Sequence, residues 1–388
     1  MRLGPILLAV AISVPCSAQF TIQNSNSAAD LRGIHNVGGG VAWASGTNGT
    51  VLRTEDGGYV WQSCSIPPGA EKLDFRGVQA FDANTAIVMS SGPGDQSRLY
   101  KTTDRCHSWK LVLTNPYAPQ GFFDAILFLD LHHGLLFGDP SPESPPVEHA
   151  NDFRLRVTAD SGTTWGPVNS PDQSKGGLHA TGDEAAFAAS NSSMATHEGW
   201  FWFATSAGRV AFRRLYEGEH PNDFTFKSVY CAGAVDPTSH ECGQPWTDFR
   251  NAQVPINHSA PSAGIFSLHF RSTTQGMAVG GDYVKPDNSN GTAAYSADGG
   301  KTWHAAQTPP HGYRSAVAYN AGTKTWITVG PNGTDISSDD GRNWHPVHPD
   351  PALHEAPDAD RNWNALSLPY VVGPHGRIGK LDETALKR

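Results

Sequence analysis

The chain is poor in charge and in sulfur. Charged residues make up 17% of its 388 residues, and it holds only five cysteines and four methionines. The 28 basic residues are outnumbered by 37 acidic ones and form no block, which argues against nucleic acid and anionic membranes as partners. Beyond residue 18 no apolar run is long enough to span a bilayer. Because 41 glycines and 28 prolines interrupt the chain, the composition predicts an all-β protein of strands and tight turns.

The first 18 residues read as a cleavable secretory signal. Arg2 supplies the positive charge, residues 3–14 are mostly apolar, and residues 16–18 resemble a small-residue cleavage site. Lipid attachment would need a small residue before Cys16, but Pro15 occupies that position. We therefore expect a secreted or periplasmic protein that starts at Gln19 and forms a single domain over residues 19–388.

Five segments share the eight-residue pattern Ser/Thr-x-Asp-x-Gly-x-x-Trp, with a cysteine replacing the glycine in the second copy. They cover residues 54–61, 102–109, 158–165, 296–303 and 337–344 and contain Asp56, Asp104, Asp160, Asp298 and Asp339. In such a turn the aspartate accepts backbone N–H bonds, the glycine permits positive φ, and the tryptophan packs between sheets. The pattern predicts that these aspartates fix hairpins and do not act in catalysis.

Each box belongs to a longer unit. The unit has a short apolar inner strand, a second strand ending in a Gly- or Pro-rich turn, a third strand, the box and a fourth strand. Seven units recur, which predicts a seven-bladed β-propeller of four-stranded antiparallel blades. The fourth unit lacks a box, and insertions are expected at about residues 140–152 and 216–262. The seventh unit lacks a fourth strand, which residues 20–22 at the mature N-terminus could supply and so close the ring.

Four cysteines remain after removal of the signal: Cys64, Cys106, Cys231 and Cys242. An even number in an oxidising compartment indicates two disulfides with three pairings open, and none of the spacings suits zinc or thiol redox chemistry. The repeat favours Cys64–Cys106, at the same hairpin level of adjacent blades, and leaves Cys231–Cys242 inside the larger insertion.

The boxes resemble those of the bacterial neuraminidase repeat class, which includes sialidases, xyloglucanases and sortilin-type receptors. The run of residues 46–58 and the turn-plus-box pattern through Trp344 are most similar to photosystem II stability/assembly factor-like propellers. That resemblance covers nearly all of the mature chain. It implies the propeller fold and, in photosynthetic members, an assembly-chaperone role. It implies no catalytic residues and no cofactor or metal.

The inner-strand starts provide a candidate binding site, because the first strand of each blade lines the central channel. Aligning the seven starts places a mostly charged ring at one channel mouth, made of Arg32, Arg76, Asp124, Glu184, Ile265, Arg314 and Asn364. Arginine side chains bind carboxylates through paired hydrogen bonds, so the ring could capture an acidic group. An internal salt-bridge network is the alternative interpretation of the same residues.

Two functions fit this ring. The first is an exported, monomeric, non-enzymatic propeller that binds a protein partner and assists an assembly. The second is a glycoside hydrolase, with Arg32, Arg76 and Arg314 on a substrate carboxylate and with Asp124 and Glu184 as the carboxylate pair. Sialidases have six blades rather than seven, and no Tyr-Glu pair can be placed by spacing, so the sequence favours the first function.

Overall fold

The structure is a computed structural model that describes residues 19–117, 119–141, 151–167, 179–214 and 249–382. It contains seven four-stranded antiparallel sheets, which confirms the predicted propeller. None of the helical segments in these described ranges has the length and apolar character needed to cross a membrane.

Each blade is a run of four consecutive strands, except the last. Blade one contains β2 Leu31–Gly38, β3 Val41–Gly46, β4 Val51–Thr54 and β5 Gln62–Ser63. Blade two contains β6 Phe75–Ala80, β7 Ala86–Ser90, β8 Arg98–Thr102 and β9 Lys110–Thr114. Blade three contains β10 Phe123–Phe128, β11 Gly134–Gly138, β12 Arg154–Thr158 and β13 Gly166–Pro167. Blade four contains β14 Met194–His197, β15 Trp200–Ala204, β16 Arg209–Arg214 and β17 Arg250–Gln253.

The last three blades complete the ring. Blade five contains β18 Ala263–Phe270, β19 Gly276–Asp282, β20 Ala293–Ser296 and β21 His304–Ala305. Blade six contains β22 Ala316–Asn320, β23 Thr325–Gly330, β24 Gly333–Ser337 and β25 His345–Val347. Blade seven contains β26 Ala365–Ser367, β27 Tyr370–Val372 and β28 Ile378–Leu381, and its outer strand is β1 Phe20–Gln23.

The N-terminal strand closes the ring, as the sequence predicts. β1 pairs antiparallel with β28, with Phe20 opposite Leu381 and Gln23 opposite Ile378. Phe20 is 2% exposed and packs in one apolar cluster with Leu381 and Trp363. The two ends of the described chain are therefore held in one sheet.

Aromatic side chains fill the spaces between blades, which is where a propeller buries both faces of its sheets. Trp202 of blade four stacks on Phe270 of blade five with ring centroids 3.7 Å apart. The Trp202 Nε1 donates to Gly299 O at 2.8 Å, inside the blade-five box turn. Blade four thus packs on a neighbour's box although it has none of its own.

The boxes form the hairpin turns that their residue types predict. In the first box, Asp56 Oδ1 accepts from Val60 N–H at 3.0 Å and from the Thr54 hydroxyl at 2.8 Å. Thr54 Oγ1 in turn accepts from Gly58 N–H at 3.0 Å. The equivalent aspartates Asp104, Asp160, Asp298 and Asp339 repeat both contacts. These carboxylates are fully engaged in their own turns.

The second box carries a disulfide in place of its glycine. Cys106 has φ of 60° and is bonded to Cys64, with Cα atoms 5.3 Å apart. The bond joins blades one and two. The other two cysteines, Cys231 and Cys242, lie outside the described residues, as do most of the two predicted insertions. Within the second insertion, residues 250–253 form β17 and complete blade four.

Candidate functional site at the channel mouth

The first strands of four blades line the channel and share one irregularity, a shift in their pairing register. The pairing of β2, β6, β10 and β18 with the following strand shifts by one residue near its start. The residues at these bulges are Arg32, Arg76, Asp124 and Phe266. Arg32, Arg76 and Asp124 are therefore equivalent, as predicted. In blade five the equivalent residue is Phe266, since Ile265 pairs with Gly280 and is fully buried.

A glycine at the end of the second strand fixes the register in the other blades. A Cβ on Gly46 would lie 2.3 Å from Asp30 O, and Cβ atoms on Gly330 and Gly373 would lie 2.4 Å from Tyr313 O and 1.9 Å from Asn362 O. Asp30, Tyr313 and Asn362 are thus equivalent. Asn364 then matches Arg32, as predicted, but the blade-six match is Ser315 and the alignment of Arg314 was wrong by one residue.

Arg314 belongs to the blade interior. Its side chain is fully buried and forms an ion pair with Asp335. It also donates to Asn332 Oδ1 at 2.6 Å and to His311 O at 3.1 Å. Arg314 is thus a structural residue held by polar groups of its own blade.

Blade four requires the largest correction. Its residues 183–186 precede the first strand, which begins at Met194. Ser206 N–H donates to Ala185 O, in the way that Thr47 N–H donates to Asp30 O in blade one. By this match Phe187, not Glu184, occupies the mouth position of blade four.

Glu184 is instead the centre of a buried hydrogen-bond cluster. Arg209 donates to both carboxylate oxygens at 2.8 Å, and Thr205 and Thr181 also donate to them. Burial raises the pKa of Glu184, but the hydrogen bonds from Arg209 and Thr205 outweigh it and leave this pKa below its usual value. The carboxylate is ionised, paired and away from the mouth.

Asp124 lies beneath the mouth rather than in it. Its side chain is fully buried, and neither carboxyl oxygen has an N–H or O–H donor among the described residues. Burial raises the pKa of Asp124 well above its ordinary value, the adjacent Asp139 raises it further, and Arg76 partly offsets both effects. Burial likewise raises the pKa of Asp139 to about 6. Two adjacent buried carboxyls with raised pKa values are most stable when they share one proton.

The mouth itself is a cavity of about 420 Å³. Its lining includes Arg32, Arg76, Phe187, Phe266, Tyr283, Tyr313, Ser315 and Asn364. Arg32 Nε lies 3.2 Å from one oxygen of Asp74 and Arg76 Nε lies 2.9 Å from the other, so two guanidinium groups share one carboxylate. Each arginine side chain keeps 31% of its surface exposed. The two guanidinium groups and the carboxylate together carry one net positive charge, and the arginines keep spare N–H donors at the cavity.

Aromatic rings form the opposite wall. Phe187 stacks on Phe266 with centroids 3.9 Å apart, and Tyr313 meets Phe266 edge-on at 4.8 Å. Tyr283 extends this wall to the rim, where 53% of its surface is exposed. The cavity therefore offers an aromatic wall together with two cations.

Blade four also lines the cavity, through residues 187–189. The Asn191 side chain accepts from Ile126 N–H at 2.8 Å and donates to Ile126 O at 3.0 Å, in blade three. Ser190 Oγ donates to Ser315 O at 3.0 Å in blade six, and Ser192 Oγ donates to Ser267 Oγ at 2.8 Å in blade five. The segment of residues 186–193 thus bonds to three other blades beside the cavity, which we call the cup.

Sequence alignment missed Asp74 and the aromatic wall. Asp74 could have been found, because residues 30–34 and 74–78 share the pattern Asp-apolar-Arg-Gly-apolar. The carboxylates proposed for the hydrolase alternative do not line the cup, because Asp124 is buried below it and Glu184 is paired with Arg209. In the described part of the chain, no group of three or more His, Cys, Asp or Glu side chains could hold a metal ion.

A ring of seven four-stranded blades, fixed by Asp-box turns and closed by its N-terminal strand, defines an Asp-box β-propeller. The BNR/Asp-box repeat model matches residues 294–305, in the blade-five box. No curated protein matches the sequence. The Asp-box repeat and the propeller fold that the resemblance to photosystem II stability/assembly factor-like propellers implies are both confirmed.

Two solved structures show the same fold at low sequence identity. YCF48 bound to D1 peptide is 14% identical, with a TM-score of 0.57 over 94% of this chain and 96% of that chain. The WD40 β-propeller domain of Doa1 is 10% identical, with a TM-score of 0.53 over 95% of this chain and 99% of that one. YCF48 from Cyanidioschyzon merolae is 13% identical, with a TM-score of 0.40 over 94% and 99% of the two chains.

Proposed function

We propose that this protein is an exported, monomeric, non-enzymatic propeller that binds a protein partner through an acidic group at the channel mouth and thereby assists an assembly. The observation that carries this proposal is the pairing of Arg32 and Arg76 on the single carboxylate of Asp74. A closed salt-bridge network would balance its charges, whereas this one leaves a cation at the base of an open cup. A partner carboxylate can complete it with charge-assisted hydrogen bonds.

Two further observations support the proposal. The cup of about 420 Å³ is large enough for a few side chains of a partner, and its aromatic wall suits an apolar group beside the carboxylate. One solved propeller of similar fold is bound to a peptide. A propeller of this fold can therefore bind a peptide, and the mouth of this chain has the charge for an acidic one.

Export is proposed from the sequence signal, with a single domain over residues 19–388. The Cys64–Cys106 bond supports it, because disulfides persist in oxidising compartments and are rare in the cytosol.

The test is capture of a partner from native envelope or secreted extract by the protein, with and without its mouth arginines. The double variant Arg32→Gln/Arg76→Gln should lose a stoichiometric partner that the wild type and an Arg105→Gln control both retain. Arg105 is an exposed arginine in the second box turn, bonded to Asn84. Equal capture by the double variant would remove the mouth as the binding site. Hydrolysis of glycosides by the wild type would replace the binding role with the hydrolase alternative.

A further inference from the structure

A buried carboxylate holds the start of the strand that closes the ring. Glu355 is 9% exposed and lies in the connection between β25 of blade six and β26 of blade seven. Its Oε1 accepts from the Phe20 N–H at 3.1 Å and also from the Gln19 N–H. Its Oε2 accepts from the Asp350 N–H at 2.6 Å. Two of the three donors to this carboxylate are therefore backbone groups of the first two described residues.

This carboxylate has no positive charge beside it. Among the described residues, no lysine, arginine or histidine forms an ion pair with Glu355, and the cations that follow it in the chain are engaged elsewhere. Arg361 and Arg377 pair with aspartates, and Lys380 Nζ donates to a backbone carbonyl of the blade-one box. The side-chain oxygen of Gln19 is also buried and has no donor in the described part of the chain. Because a buried carboxylate is costly without a cation, the site is one positive charge short.

Removal of the predicted signal would supply that charge at the right atom. In the uncut chain the Gln19 nitrogen is a neutral amide with a single hydrogen. Cleavage after Ala18 turns it into an α-amino group, which is protonated at neutral pH. The Gln19 nitrogen contacts Glu355 Oε1 in the closed ring. The donor can therefore gain its charge without any movement of β1.

We propose that Glu355 is the binding site for the α-ammonium group of the mature chain, and that removal of the signal thereby strengthens the closure of the ring. This role depends on the proposed function, because the ammonium arises at Gln19 only if the exported chain is cut after Ala18. A charge-assisted hydrogen bond replaces a neutral one and is the stronger of the two. Since Gln19 precedes β1 directly, the stronger bond stabilises the pairing of β1 with β28. The precursor therefore has a less stable ring than the mature protein.

The charge is tested by comparing two chains that differ only in how they begin. One starts at Gln19, released from a fusion by a protease that leaves no extra residue, and its intact mass confirms that Gln19 has not cyclised. The other carries a Gly-Ser-Gly extension, which keeps an N–H at Gln19 and removes the positive charge from that nitrogen. We expect the equilibrium constant for unfolding in urea to be about tenfold or more larger for the extended chain. Equal stability of the two chains would overturn the proposal.

The same extension is then made in Glu355→Gln, where it should change the unfolding constant by about twofold or less, because a neutral amide gains little from an ammonium group. Glu71→Gln removes an exposed carboxylate and should keep the full wild-type difference. An equal loss in the wild type and in Glu355→Gln would show that the extension acts through its bulk, and the proposal would fail. If Glu355→Gln does not fold, the comparison of the two wild-type chains still decides.

Export is tested apart from this role, by mass spectrometry of the protein that cells release from the full chain of residues 1–388. A first residue other than Gln19 would refute the cleavage and with it the role of Glu355, and it would leave the mouth untouched. A first residue of Gln19 together with equal stability of the two chains would refute the role of Glu355 and leave export supported. Cleavage at Gln19 with the expected loss on extension would support both.

Discussion

Replacing Arg314 by alanine should destabilise the propeller strongly, although an alignment of inner strands places this residue beside the two arginines of the mouth. The guanidinium is fully enclosed, and Asp335, its ion-pair partner, is 1% exposed. Truncation would leave the Asp335 carboxylate buried with only His311 Nδ1 beside it at 2.9 Å. It would also remove donors from Asn332 Oδ1 and His311 O.

The expected cost is about 3–5 kcal/mol of unfolding free energy, the range for removing one partner of a buried ion pair. Arg76→Ala should cost about 1 kcal/mol or less, because its side chain is 31% exposed and its pair with Asp74 is partly solvated. The double variant Arg314→Leu/Asp335→Leu should lose less than the sum of the two single variants, because neither charge is then left buried alone.

The measurement is equilibrium urea unfolding of the five variants (Arg314→Ala, Arg76→Ala, Arg314→Leu, Asp335→Leu and the double variant) against the wild type, followed by tryptophan fluorescence, with the midpoint as the reported quantity. A variant Arg314→Ala that unfolds at the same urea concentration as Arg76→Ala would refute the assignment of Arg314 to the blade interior. An Arg314→Ala protein that is as stable as the wild type but fails to capture a partner would return Arg314 to the mouth.

Three further changes test the buried carboxyl of Asp139 in blade three, the disulfide and the closure of the ring by β1. Because burial raises the pKa of Asp139 from 3.8 to about 6, the folded state binds more protons than the unfolded state, and stability present below pH 4 is lost as the pH rises through 6, by at most about 3 kcal/mol. Asp139→Asn, whose amide does not titrate, should therefore gain stability relative to the wild type as the pH rises from about 4 to about 8 in urea titrations, and a constant difference would contradict this sign. Cys64→Ser should cost about 4 kcal/mol by the chain-entropy estimate for its 42-residue separation. Adding Cys106→Gly to it should restore about 1 kcal/mol at this left-handed position, whereas a further loss in the urea midpoint would argue against backbone strain there. Phe20→Ala should cost about 3–5 kcal/mol in the same assay because it empties the closure cluster, and a loss below about 1 kcal/mol would indicate that β1 does not hold the ring.

The fold could be predicted because its signals are local. Each box carries its own turn chemistry, so the five Asp positions mark hairpins without knowledge of any long-range contact. The closure by β1 also follows, since a blade that ends at β28 leaves one unpaired edge that the N-terminal strand can cover. Repetition converts these local signals into a count of blades, and the count defines the architecture.

The mouth was harder to predict because one residue of register changes which side a side chain faces. Arg314 follows Tyr313 as Arg32 follows Leu31, and this likeness suggests equivalence. The register is set instead by the close approach of Gly330 to Tyr313 O, a contact between residues 17 positions apart that no local pattern reports. Bulges in the inner strands add a further shift, so that Phe266 rather than Ile265 enters the channel.

Blade four shows a second limit of sequence reasoning. Without a box to anchor the unit, nothing in the sequence distinguishes residues 183–186 from a short inner strand. The structure uses the next residues differently, as Asn191 bonds to Ile126 in blade three and Ser192 to Ser267 in blade five. These polar side chains in an otherwise apolar stretch were the available signal, because a buried asparagine needs partners and here finds them across the channel.

The mouth depends on the irregular start of blade four. The segment of residues 186–193 precedes the first strand of this blade, which begins at Met194, bonds to blades three, five and six, and brings Phe187 onto Phe266. Asp139 Oδ1 accepts from the Ala186 N–H of the same segment at 2.8 Å, so the wall of the cup also depends on a buried carboxyl of blade three.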